Sequence, residues 1–119
     1  MTQTVEFPVP IFPCEVTLVL TDDPVRARNS KAMVKRFGPY PHRYAGLHTW
    51  AGDQHFGLFF VRSEVSVEMI AHEVFHASLR MSERCHLALG PDNHEPTAFL
   101  HGWLFNEVFT RLRAWGCNL

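Results

Sequence analysis

The sequence predicts one α+β domain, a small β-sheet of a strand plus a β-hairpin packed on three helices. Three patterns carry that prediction. Residues 14–20 and 56–61 are short apolar runs rich in β-branched and aromatic side chains, the composition of buried strands. Ile70, Val74, Ala77 and Met81 recur at helical spacing. Leu100, Leu104, Val108, Leu112 and Trp115 draw a second such stripe further on. No repeat or low-complexity tract divides the chain, so a single domain is expected over residues 1–119.

In chain order, residues 1–13 read as a Pro-rich extended N-terminal arm, because Pro8, Pro10 and Pro13 remove backbone donors and fix φ. The arm is a strap over the body or a lid over a cleft. The first strand follows at 14–20. Asp23 and Pro24 supply the cap and first turn of a helix expected to run to Phe37. Val25, Ala32, Met33 and Phe37 form its apolar stripe, and Gly38-Pro39 stops it. Residues 40–49 are a loop entering a strand. Ala51-Gly52-Asp53-Gln54 has turn chemistry and folds that strand against 56–61 as a hairpin. A second helix runs from Ser63 or Ser66 to about Met81. The connection over 85–94 leads to a third helix, which opens at Glu95-Pro96 and ends before Gly116.

Composition narrows the function classes. With 46% hydrophobic and 19% charged residues, a core can form without disulfides and wholesale disorder is not expected. Cys14, Cys85 and Cys117 are an odd set with no CxxC spacing, which reads as free thiols in a reducing compartment. The formal net charge of −1 argues against a globally basic nucleic-acid binder. Arg26, Arg28, Lys31, Lys35, Arg36 and Arg43 do cluster, either as a solvated helix face or as a docking face for nucleic acid or an acidic partner. Only Phe37, Tyr40 and Tyr44 are interleaved, too few to favour base stacking. No apolar run approaches the roughly 20 residues of a membrane span, and residues 1–7 lack the pattern of an export signal, so a cytoplasmic protein is expected. The aromatic third helix (Phe99, Trp103, Phe105, Phe109, Trp115) belongs mostly to the core, with part left for a second copy or a partner.

The chemistry concentrates in the second helix. His72 and His76 stand four residues apart, so they lie about 40° apart around the axis and about 6 Å along it, and both imidazoles can reach one ion. Glu73 projects beside them, where a carboxylate can address water on that ion. With eight His and eight Glu in the chain, the expected chance occurrence is roughly 0.03. The plain alternative is a pair of histidines hydrogen-bonded on a packing face. A catalytic zinc needs a third protein ligand and an open position. Glu95, nineteen residues beyond His76, is the chosen candidate; Asp92, His94, His101 and Glu107 compete, His86 is less suitable, and Glu95 could instead merely cap its helix.

His72-Glu73-Val74-Phe75-His76 followed at this distance by Glu95 resembles the zincin metallopeptidases, specifically the gluzincin branch. The small size is similar to that of minigluzincins and of small HExxH proteins encoded by bacteriophages and prophages, and the likeness covers roughly residues 56–108. It implies a minimal zincin-like domain holding one zinc ion through His72, His76 and Glu95. Glu73 is implied as general base and proton shuttle, and the 56–61 hairpin as the edge along which an extended peptide or protein substrate lies. Phe99 stands where larger gluzincins have an Asp, and Ser82 where metzincins have a third histidine. His48, His55, Tyr44 and His101 are the candidates for steadying an oxyanion. The rival reading is a non-catalytic zinc-binding module that acts through protein contact, such as a homodimer or an inhibitor of a host factor. A third is a metal-free helix pair.

Overall fold

Val16, Leu18 and Leu20 sit opposite Phe56, Leu58 and Phe60 in the middle of a four-stranded mixed sheet, all six buried. In this computed structural model, which describes residues 1–87 and 90–119, the strands are β1 (Thr2–Pro8), β2 (Glu15–Thr21), β3 (Gly46–Ala51) and β4 (His55–Val61). Their spatial order is β1-β2-β4-β3. β1 is antiparallel to β2, β3 is antiparallel to β4, and the central β2–β4 pair is parallel. Central strands are covered on both faces, which is why β2 and β4 are the two unbroken apolar runs.

The helices divide between the two faces. α3 (Val67–Arg84) and α4 (Glu95–Ala114) cover one, burying Ile70, Val74, Ala77 and Met81 and Leu100, Leu104, Val108 and Leu112 against the even-numbered side chains of β2 and β4. On the other face α1 (Pro24–Arg28) and α2 (Lys31–Phe37) shelter Val19, Phe59, Val61 and Tyr44. The α+β class and both long helical stripes are therefore as expected, as is the β3–β4 hairpin, which turns at Gly52 with φ +61°. Among the described residues no helix is long and apolar enough to cross a membrane.

Four expectations need correction. The segment read as an arm contributes β1, a full edge strand on β2. Thr2 to Phe7 all have a backbone N–H to offer, and only Pro8, at the strand's end, lacks one. The helix expected from Pro24 to Phe37 is two helices, broken at Asn29 and Ser30. Asn29 Nδ2 donates to the carbonyls of Val25 (2.8 Å) and of distant Tyr40 (2.7 Å), and Ser30 caps a new start at Met33 N. Its expected stripe survives only in part: Met33 and Phe37 pack against Val19 and Phe59 as expected, but Val25 and Ala32 are exposed and Arg28 is buried. Finally, 56–61 is an inner strand, and the edge beside α3 is β3. Of the expected connection over 85–94, residues 88 and 89 lie outside the described residues.

The basic cluster is not one face. Arg28 lies under Phe37, Tyr40 and Phe59 and donates to the Gly38 carbonyl at 2.7 Å, while Arg36 pairs with Glu6 and Arg43 with Glu64. Three of the six charges are thus used internally.

Candidate metal centre

α3 begins where the Ser66 hydroxyl accepts from Met69 N at 3.2 Å. With Ile70, Val74, Ala77 and Met81 facing the core, helical geometry turns Glu73, His76 and Arg80 toward the side on which β3 runs. The strand can come that close because position 46 is glycine. A Cβ there would stand 2.8 Å from Met69 Cγ and 3.4 Å from Glu73 Cγ. Two residues on, His48 lines the same cleft as His76, and two further on the Trp50 ring stacks under the Arg80 guanidinium at 3.7 Å. β3 and α3 therefore run alongside each other in step: Gly46 by Glu73, His48 by His76, Trp50 by Arg80.

Glu73 separates two clefts in this groove. One, of about 230 Å³, is lined by His48, Trp50, Glu73, His76, Arg80 and Glu83 among others. The second, more open, is lined by Gly46, Ser66, Met69, His72 and Glu73 among others. His72 is exposed at the second cleft and His76 at the first, whereas the Glu73 side chain is only 13% exposed. The two Nε2 atoms lie 3.2 Å apart, and Glu73 Oε2 lies 3.8 Å from His72 Nε2. Two zinc–nitrogen bonds of about 2.0–2.1 Å at a tetrahedral angle span roughly 3.3–3.4 Å. The spacing of the imidazole pair matches two corners of a zinc site and is equally that of an imidazole–imidazole hydrogen bond, the plain alternative read from the sequence.

Glu95 does not join them. It opens α4 with its side chain 89% exposed and its carboxylate 3.8 Å from His94 Nδ1. The α3–α4 register explains why: Thr97 Oγ1 donates to Ser82 Oγ at 2.9 Å, and the His101 ring contacts Phe75 at 5.9 Å. The start of α4 thus meets α3 beyond the histidine pair, since Ser82 is six residues, or roughly 9 Å, past His76. Among the described residues no group of three or more His, Cys, Asp and Glu side chains is gathered closely enough to hold an ion. Of the other competitors, Glu107 pairs with Arg111, while Asp92 and His94 are exposed.

Neither family models, nor curated proteins, nor solved structures give a match to this chain.

The groove also ranks the oxyanion candidates. Tyr44 is buried on the opposite face of the sheet, against Phe59, and His55 opens β4 near Glu6. His101 lies on the α4 side of α3, against Phe75. Only His48 lines a cleft with Glu73. Burial, with smaller contributions from His76 and Arg80, pushes its imidazole down to about 4. Its Nε2, like that of His101, is enclosed and has no hydrogen-bond partner among the described residues. Sequence reasoning missed Arg80 and Trp50 altogether. Arg80 could have been found, since it follows Glu73 by seven residues and His76 by four, the spacing of one helix face. Trp50 needed the hairpin register.

Proposed function

We propose that the α3–β3 groove is a zinc-dependent hydrolytic centre acting on peptide bonds, with His72 and His76 as metal donors and Glu73 as general base. One observation supports this above the rest: two imidazole nitrogens 3.2 Å apart beside a largely enclosed carboxylate, along an unpaired strand edge. Zinc held there supplies Lewis acidity, which polarises a carbonyl and brings the acidity of water near neutral pH. The residues of the chain do the rest. Glu73 accepts the proton from the attacking water and returns it to the leaving amine. β3 offers its free N–H and C=O groups to an extended peptide, aligning the chain by strand addition. Arg80, fixed over Trp50, gives the cleft a permanent positive charge beside the reacting carbonyl. Glu95 does not fit as the third donor that the family resemblance implies, because its exposed turn lies past the pair.

Elemental analysis of the purified protein is expected to give about one zinc per chain. Glu73→Gln is expected to lower hydrolysis of an unstructured protein substrate by about 10²–10⁴-fold while leaving zinc content and Tm in place. Full activity in that variant would remove Glu73 from the chemistry. A second reading, a zinc-binding module working by protein contact, draws support from Phe75 and Phe99, which are 46% and 59% exposed. It gains if zinc is present and biological activity survives Glu73→Gln.

A further inference from the structure

We propose that His48 is the third protein donor of this centre, closing a three-histidine site across α3 and β3. The inference rests on the reading of His72 and His76 as metal donors and adds to it a residue from a different element. Three observations carry it. First, the register of the groove is fixed on both sides of His48, by Gly46 packed over Met69 and Glu73 and by Trp50 under Arg80, so position 48 faces the turn that carries His76. Second, His48 Nε2 is enclosed without a hydrogen-bond partner among the described residues, although buried polar atoms are nearly always satisfied; His101 Nε2 shares that property but does not line the cleft with His76. Third, the donors weighed from the sequence lie elsewhere, Glu95 exposed at the far end of α3 and His101 on the α4 side against the Phe75 ring, while Glu83 lines the same cleft but stands seven residues, roughly 10 Å along the helix, past His76.

The His48 ring now lies flat beside Phe56 (6.2 Å, 10°) and Trp50 (5.8 Å, 23°). The three imidazoles are not gathered to bonding distance, so closing the site takes a rotation of His48 about its side-chain torsions toward His76. The cleft of about 230 Å³ that both residues line gives the ring room to turn. A strand donor of this kind would tie metal binding to the position of β3 itself, the edge along which a peptide is proposed to lie.

The test is a Zn²⁺ titration against a chromophoric chelator at pH 7.5, with the apo unfolding midpoint of each variant measured in parallel. His48→Gln is expected to weaken zinc binding by more than the about 10–100-fold that follows loss of an outer-shell partner. Glu95→Gln and His101→Gln are expected to stay within about threefold of the parent protein. If the parent binds no zinc, this inference falls together with the hydrolase reading. If the parent binds and His76→Gln weakens it while His48→Gln does not, His48 alone is removed from the site. Should His48→Gln fail to fold, His48→Cys loaded with Co²⁺ decides. A thiolate-to-cobalt charge-transfer band in the near ultraviolet puts position 48 on the metal, and its absence overturns the proposal.

Discussion

At the scale of single residues, burial sets the chemistry of the three free thiols. Cys14 sits under the core with its thiol pushed up to about 12, mainly by desolvation and further by neighbouring Cys85. Only the thiolate is nucleophilic, so a rise of this size from an ordinary value of 9.0 leaves roughly a thousandfold less of the reactive form at pH 8. Cys117 is likewise buried and shifted upward by desolvation. Iodoacetamide added to the folded protein at pH 8 is therefore expected to label the half-buried Cys85 first, with Cys14 and Cys117 modified only in denaturant. Peptide mass spectrometry reads the order directly, and equal labelling rates would contradict it. Arg28 illustrates what composition hides at this scale. It counted as one of six clustered cations, yet it is the largest fully buried side chain, held by carbonyls and aromatic faces with its charge disfavoured by burial.

Elements explain which parts of the fold could be read in advance. α3 and the apolar face of α4 were legible because each repeats its pattern over several turns against one sheet face. The break between α1 and α2 was not, because Asn29 answers a carbonyl eleven residues away at Tyr40. β1 was masked by the prolines that follow it, although Val5 and Phe7, pointing toward the core, alternate with exposed neighbours. Within the site, His72, Glu73 and His76 were fixed by spacing along a single helix. Glu95 was chosen on sequence distance, which says nothing about how far α4 slides along α3 before Thr97 meets Ser82. Gly46 belongs at this scale too, since it sets the distance between strand and helix. Gly46→Val is expected to destabilise the protein by about 1–3 kcal/mol through overpacking against Met69. Adding Met69→Ala should recover part of that loss, because the two sites share one contact. Urea midpoints for the two single variants and the double variant test the coupling, and strict additivity would show that the strand does not rest on Met69.

For the molecule as a whole, acid should loosen the β1 edge. The Arg36 hydrogen bond holds Glu6 below the ordinary carboxylate range, and the N-terminal ammonium does the same for Asp22, joining β1 to α2 and to the end of β2. A lowered folded value means that the stabilisation is complete above the unfolded carboxylate values of 3.8 and 4.5, and is lost as pH falls through the folded values. Both groups are largely solvated, so the Glu6 pair contributes at most about 1 kcal/mol. Tm is expected to decline between about pH 5 and pH 3, and Glu6→Gln should flatten part of that slope; an unchanged slope would mean the pair contributes nothing.

The parallel contact between β2 and β4 has a consequence for how the chain reaches this state. β1 with β2, and β3 with β4, are ribbons of near neighbours that can zip early, whereas partners such as Leu18 and Leu58 are forty positions apart. Contact separation therefore predicts that the β2–β4 seam forms after the pairings within each ribbon. During synthesis that seam stays open until the ribosome has released the second ribbon.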